Sequence, residues 1–234
     1  QRTPAHLAQS KPPTIKKSLK STPKPNNQET PLLNFAAGLL IAYLIGSISF
    51  AVVVSKFVGL ADPRTYGSKN PGATNVLRSG NKKAAVLTLL GDALKGTLAV
   101  ALAFHFQDQL GYTRTDIAWI GLAAFIGHLY PIFFKFEGGK GVATALGVLL
   151  GLNWVLGLAT AITWVVIAYF FRYSSLAALI AALFAVFYNV LLFGINGQAA
   201  AIAIMSALLI YRHKQNIANL IAGKESKIGD KKTS

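Results

Sequence analysis

The 234-residue chain is 53% hydrophobic and only 13% charged, with a mean hydropathy of +0.47. Soluble domains carry roughly 25% charged residues, so a soluble enzyme is excluded, and the lack of cysteine excludes disulfides, thiolate nucleophiles and cysteine metal sites. The 23 Lys and Arg against 8 Asp and Glu give a net +15, which on an apolar chain points to lipid headgroups or phosphorylated substrates rather than nucleic acid.

Residues 1–31 hold six of the nine prolines and six basic residues against the single acid Glu29. Such a stretch cannot bury a core and is expected to be disordered. From Leu32 the chain turns apolar. Leu32–Ser55 has 24 residues without a charge, enough for the roughly 20 that a membrane-spanning helix requires. Ala84–Phe104 is a second span, with Asp92 and Lys95 inside it, and Ile117–Phe134 a third, with His128 near its end. Val142–Phe171 is uncharged for 30 residues and reads either as one long tilted helix or as two short ones meeting near Asn153. Tyr173–Tyr211 is uncharged for 39 residues and breaks at Gly194-Ile195-Asn196-Gly197, a turn between two helices.

Loop charge favours two helices in the ambiguous run. Seven spans place four polar segments on one face: residues 56–83, 135–141, 172–175 and the tail from Arg212. Together they hold 15 basic residues, against Arg114 alone in the opposite loops. The positive-inside bias makes that face cytoplasmic. The odd span count then puts the basic N-terminal tail on the other side, at a distance where the bias fades.

Three of these segments carry candidate chemistry. Residues 62–78, including Gly67-Ser68-Lys69-Asn70-Pro71-Gly72-Ala73-Thr74-Asn75 and Arg78, combine glycines, hydroxyls, amides and a guanidinium suited to phosphate oxygens. Glu137-Gly138-Gly139-Lys140-Gly141-Val142-Ala143-Thr144 opens directly into a helix, as a phosphate cradle does. It is not a nucleotide-hydrolysis loop, because Lys140 is followed by Gly141 rather than Ser or Thr. In the third, His213 and Asn216 lie three residues apart and share a helix face. Asp92 and Lys95 have the same spacing and should pair, since isolated charges in a bilayer are expensive. Ser174 and Ser175 either cap the sixth span or donate to a ligand, with the cap slightly favoured. Arg64, Lys69, Arg78, Lys140, Arg212 and His213 outnumber Asp62, Glu137 and Glu225 in these segments, a surplus that suits two phosphate groups.

These motifs, with Asp92-Ala93-Leu94-Lys95-Gly96, Gly127-His128, Pro131 and Gly223-Lys224-Glu225, resemble the bacterial PlsY family from about Gly46 to Glu225. Its members are integral-membrane acyl-phosphate:glycerol-3-phosphate acyltransferases. The resemblance implies an all-α integral membrane fold of seven transmembrane helices, several short, in the bacterial inner membrane with active-site loops facing the cytoplasm. With the composition of the ends, which lie outside the resemblance, the chain is expected to divide into a disordered basic tail (1–31), an acyltransferase domain (32–225) and a basic C-terminal tail (226–234).

The resemblance also implies acyl transfer from acyl phosphate to the 1-hydroxyl of glycerol 3-phosphate, giving lysophosphatidic acid and phosphate. Ser68, Arg78, Lys140, His213 and Asn216 would form the polar core of the site. Asn70, Gly72, Thr74, Asn75, Gly138, Gly139, Gly141, Thr144, Ser174 and Ser175 would complete substrate binding, and Asp92, Lys95, His128, Arg212 and Glu225 would support the site. Lys69 stands where glycine is also common and receives no role. No metal or cofactor is expected. The partners implied are the two substrates, membrane lipid and the soluble enzyme that makes acyl phosphate.

Chemistry alone allows this reaction, because an acyl phosphate is an activated anhydride and requires no covalent enzyme intermediate. No histidine is followed by Asp after four intervening residues, so the His-Asp base of other glycerolipid acyltransferases is missing. The donor phosphate, with a second pKa near 6 like that of phosphoserine, is expected to accept the proton. A secondary transporter of a phosphorylated solute is the alternative. It predicts charges near the bilayer midplane and internal repeats, whereas only Asp92 and Lys95 lie within a span and no repeat is evident.

Overall fold

The computed structural model describes residues 29–229, and all regular structure among them is helical. Helix α1 (Glu29–Gly46) begins three residues inside the expected disordered tail. Pro31 permits this, since the N–H it lacks has no helical partner in a first turn. The disorder expected of residues 1–28 falls outside the described residues.

The first apolar run bends rather than continuing as one helix. Ser47 turns its backbone N–H and its Oγ back onto the Tyr43 carbonyl, at 2.9 and 2.8 Å, and α2 (Phe50–Phe57) follows. A polar connection carrying the short α3 (Ala73–Leu77) leads to α4 (Lys82–His105), capped by Asn81. Next come α5 (Gln107–Leu110) and α6 (Arg114–Leu129), the latter entered through a Thr113–Asp116 capping box. The ambiguous run is two helices, α7 (Val142–Leu152) and α8 (Trp154–Phe171). Asn153 divides them: its Oδ1 accepts the Val155 and Leu156 N–H groups at 3.0 and 3.1 Å, serving two orphan donors of the new helix. The remaining elements are α9 (Ser174–Phe193), α10 (Gly197–Arg212) and α11 (Lys214–Ile221).

Five segments are long and apolar enough to cross a bilayer: Pro31–Phe57, Lys82–His105, Arg114–Phe134, Trp154–Phe171 and Ser174–Phe193. Helices α7 and α10 are apolar but shorter, at 11 and 16 residues. The protein is therefore a multi-pass membrane protein.

Helix α6 is central, packed against α1, α4, α7 and α10, and contributes the buried Ile117, Phe125 and Leu129. Glycines allow the helices to close, as is usual where no hydrophobic driving force acts between them. A methyl at Gly127 would overlap the Tyr43 carbonyl, and one at Gly147 would overlap that of Ala93. Helices α4 and α7 are also tied by Thr144 Oγ1 to the Asp92 carbonyl and Thr97 Oγ1 to that of Gly147, both at 2.9 Å. This packing delivers the polar connections of residues 58–81, 130–141 and 172–173, and the segment 213–229, to one another.

Candidate active site

The first polar segment is shaped by Asn75. Its side chain is buried, accepts the Ser68 N–H at 3.0 Å, and donates to the Pro63 and Tyr66 carbonyls at 2.7 and 3.2 Å. Its amide is thus committed to folding the turn, which leaves Ser68, Thr74 and Arg78 exposed and Asn70 and Gly72 half-buried. Arg64 closes the base of the turn in a bidentate pair with Asp62, 2.7 Å at its shortest, and reaches Glu137 at 3.5 Å. The hydrogen bonds from Arg64 hold the Asp62 carboxyl below its ordinary pKa. Lys69 has φ = 54°, in the left-handed region that favours glycine.

The second segment is enclosed. Gly138, Gly139, Gly141 and Thr144 are buried. The Gly139 N–H donates to the His128 carbonyl at 3.2 Å, and Arg212 grips the Gly138 and Gly139 carbonyls at 2.7 and 3.2 Å. These glycines therefore pack the turn closely and carry Lys140 rather than offering the Gly139 N–H to a ligand. Gly141 has φ = 88°, and a methyl there would overlap the Phe125 ring, so only glycine fits before α7.

Lys140 Nζ donates to Asn216 Oδ1 at 2.6 Å, Asn216 Nδ2 to Glu225 Oε1 at 2.7 Å, and Ser175 Oγ to the same Glu225 oxygen at 2.6 Å. Burial holds the Lys140 ammonium below its ordinary pKa. Glu225 opposes that shift, and Arg78 and Arg212 add to it. An anion placed here would oppose that shift. His213 is 2% exposed, and its Nδ1 lies 2.8 Å from the Leu209 carbonyl. A carbonyl only accepts, so Nδ1 carries the hydrogen and Nε2 is the free acceptor. Burial pushes this imidazole down to about 4, with Lys140 and Arg212 contributing.

The structure thus joins Lys140, Asn216, Glu225 and Ser175 in one chain, with Arg212 beside Lys140. Neither serine caps α9, whose N-cap position is Tyr173 without a side-chain cap bond. Ser175 turns to Glu225 instead, because a carboxylate is the stronger acceptor. Asp92 and Lys95 pair as expected, at 2.9 Å. Ser226 lies in the segment expected to be a tail, yet its Oγ accepts from Arg78 Nη2 at 3.0 Å. Ile228 likewise exchanges hydrogen bonds with Arg172, at 2.6 and 2.9 Å. A contact spanning 148 residues leaves no local signal in the sequence. Among the described residues, no salt bridge includes Arg78, Lys140 or Arg212, since Arg64 takes both Asp62 and Glu137.

Residues 36–223 match the family model described as glycerol-3-phosphate acyltransferase. The chain is 66% identical over 196 residues to a glycerol-3-phosphate acyltransferase of Burkholderia orbicola (strain MC0-3), covering 82% of this chain and 92% of that one. It is 68% identical over 198 residues to the same-named protein of Herminiimonas arsenicoxydans, covering 85% and 95%. Crystal structures of PlsY (YgiH), an integral membrane glycerol 3-phosphate acyltransferase, are similar in fold. Its glycerol 3-phosphate form aligns with a TM-score of 0.77 and 38% identity, over 83% of this chain and 96% of that one. Its lysophosphatidic acid form gives 0.76 and 37%, over 83% and 95%.

Proposed function

The chain belongs to the glycerol-3-phosphate acyltransferase family of PlsY, and from that premise we propose that its donor is acyl phosphate and its acceptor the 1-hydroxyl of glycerol 3-phosphate. The products are 1-acylglycerol 3-phosphate and inorganic phosphate. The observation that carries the reading is the cation surplus: Arg78, Lys140 and Arg212 approach one polar centre while the nearby Asp62 and Glu137 are occupied by Arg64. Three cations against the single carboxylate of Glu225 leave a surplus that suits two phosphorylated substrates held together.

The hydroxyl oxygen attacks the acyl carbonyl and the acyl–phosphate bond breaks. The hydroxyl proton passes to the departing phosphate, whose second pKa near 6 makes it a competent acceptor. His213 is poorly suited to that role, because a buried imidazole with a pKa of about 4 is a weak base. Its free Nε2 is suited to accept a hydrogen bond from the incoming hydroxyl and orient it. Lys140, fixed by Asn216, and Arg78 stabilise the charge that develops on donor oxygens. Ser68 and Thr74, exposed on the first turn, and Ser174 at the start of α9 supply hydroxyls to the two phosphates, while Ser175, whose hydrogen is committed to Glu225, holds that carboxylate in place.

With α7 and α10 crossing alongside the five longer segments, the chain makes seven spans. The basic polar end then faces the cytoplasm from a bacterial inner membrane, on the side where Lys and Arg concentrate. Soluble glycerol 3-phosphate reaches the site from that side. The soluble enzyme that makes acyl phosphate is the expected partner, and membrane lipid surrounds the apolar helices.

The test is phosphate release by purified protein given acyl phosphate and glycerol 3-phosphate, with acyl-CoA and acyl carrier protein thioesters in parallel. Turnover is expected with acyl phosphate. Turnover with acyl-CoA alone would overturn the donor assignment.

A further inference from the structure

Beneath the Gly138–Lys140 turn lies a buried charged cluster that the proposed mechanism leaves unused. Asp92 and Lys95 of α4 are 2% and 3% exposed, and Lys95 Nζ stands 2.9 Å from Asp92 Oδ1. The same ammonium donates to the Ile48 carbonyl at 2.6 Å, in the bend between α1 and α2. His128 of α6, 6% exposed, brings Nδ1 to 3.5 Å from that carboxylate oxygen. Charges inside a membrane helix bundle are expensive and are retained where they are used. Among the described residues neither Asp92 Oδ1 nor His128 Nδ1 has a hydrogen-bond partner, so the two are paired by charge alone, and the Asp92–Lys95 ion pair does not by itself account for His128.

The reason lies on the other side of the ring. A methyl at Gly139 would overlap His128 Nε2, and one at Gly138 would overlap the His128 and Leu129 carbonyls. The Gly139 N–H is bonded to the His128 carbonyl. The same Gly139 methyl would stand 2.9 Å from the Pro71 carbonyl, so the first polar turn also meets this point. Above, Arg212 holds both glycine carbonyls. One residue further on, Lys140 carries its ammonium to Asn216. The Asp92 carboxylate, 3.5 Å from Nδ1, electrostatically favours the tautomer with hydrogen on that nitrogen, and the Gly139 backbone packed against Nε2 limits where the ring can lie.

We propose that His128, oriented by the Asp92–Lys95 pair, is a positioning residue that sets the Gly138–Gly139 turn and through it the place of the Lys140 ammonium. Its effect on rate rests on the acyl-transfer reading above, whereas its effect on Lys140 placement does not. A misplacement of about 1 Å at a positioned group can lower a rate by about 100-fold.

The experiment uses the full chain in detergent and reads two quantities. The first is acyl-phosphate-dependent turnover in a double-mutant cycle. His128→Ala is expected to lose about 100-fold, and His128→Gln, which retains a donor and an acceptor, to recover at least about tenfold of that loss. In a Lys140→Ala background, His128→Ala is expected to cost less than about threefold, because the group it places is already gone. A merely structural histidine gives losses that multiply. The second quantity is the labelling rate of the Lys140 amine by an amine-reactive ester, read by peptide mass spectrometry with exposed Lys69 as internal standard. Labelling is expected to rise at least about fivefold in His128→Ala and in Asp92→Asn as the turn loosens. If His128→Ala does not fold, His128→Gln and Asp92→Asn carry both measurements. Multiplying losses, or unchanged Lys140 labelling in the folded variants, would overturn the proposal. A parent protein that labels as described but transfers no acyl group from acyl phosphate would overturn the donor reading alone.

Discussion

In the turn of residues 62–78 most of the bracing bonds come from within the segment, whereas in residues 137–144 they come from other helices. Asn75 folds the first turn onto Ser68, Tyr66 and Pro63, and Asp62 binds Arg64 two residues on. The second turn hangs between His128 of α6 and Arg212 of α10, and Lys140 ends on Asn216 of α11. Both segments combine glycines, hydroxyls and a cation. Their difference teaches that similar composition can yield an exposed, self-folded loop presenting an adjustable guanidinium and a buried turn that holds an ammonium in one place.

The sharpest way to break this contrast is to remove each cation. Lys140→Ala is expected to lower kcat/KM by about 10²–10³, the scale for a preorganised donor to developing charge. Arg78→Ala is expected to lose about 10², since among the described residues its exposed side chain is held by Ser226 alone. The discriminating variants are conservative. Arg78→Lys should retain about a tenth of parent activity, while Lys140→Arg, too large for its enclosed place, should fall with Lys140→Ala. Equal tolerance at the two positions, measured as phosphate release, would erase the contrast.

Next in size is the internal brace. Asn75→Ala removes three bonds, of which the one to the Pro63 carbonyl is buried and those to the Ser68 N–H and Tyr66 carbonyl are part-buried and open to water. Each buried group so orphaned costs about 1–3 kcal/mol where water cannot reach it. A loss of about 2 kcal/mol is expected in detergent unfolding, with new proteolytic cleavage confined to residues 62–78. Cleavage elsewhere would mean that the first turn is not self-contained.

The enclosed region has a pH signature that the exposed loop lacks. His213 sits near 4 when folded, because burial disfavours its cation, against about 6.5 unfolded. Above pH 6.5 it is neutral in both states and contributes nothing. Between 6.5 and 4 the unfolded chain binds a proton that the folded chain refuses, so stability falls as pH drops, by about 2 kcal/mol at pH 5. Thermal unfolding should therefore lose less between pH 7 and 5 in His213→Gln than in the parent. An identical loss in both would place the histidine in contact with water.

Local pattern made the apolar architecture readable, since charge-free runs of 24 to 39 residues have few alternatives to membrane helices. Asn153 was readable as a break but not as a cap, because the run around it is apolar under either reading. The bend at Ser47–Ser49 left no signal, as hydroxyls are tolerated inside membrane helices. At the polar end, residue types pointed to anion chemistry, yet side-chain partners depended on contacts far apart in sequence. Ser175 chose Glu225 over capping, 50 residues away, and Arg212 lies 73 and 74 residues from the carbonyls it holds. Such pairings are set by helix packing rather than by spacing.

The smallest expected effect isolates backbone geometry from charge in the self-folded turn. Lys69 lies at φ = 54° on an exposed loop, a conformation that disfavours a side chain by roughly 1–2 kcal/mol. Glycine removes that strain but loses roughly 0.5–1 kcal/mol through its freer unfolded chain. Lys69→Gly should therefore be more stable by about 0.5–1 kcal/mol, with turnover within twofold of the parent. Lys69→Ala removes the same charge and keeps the strain, so it should gain nothing. If alanine stabilises as much as glycine in detergent unfolding, relief of repulsion among neighbouring cations is the cause. If only glycine does, the turn's own backbone sets the residue preferred there.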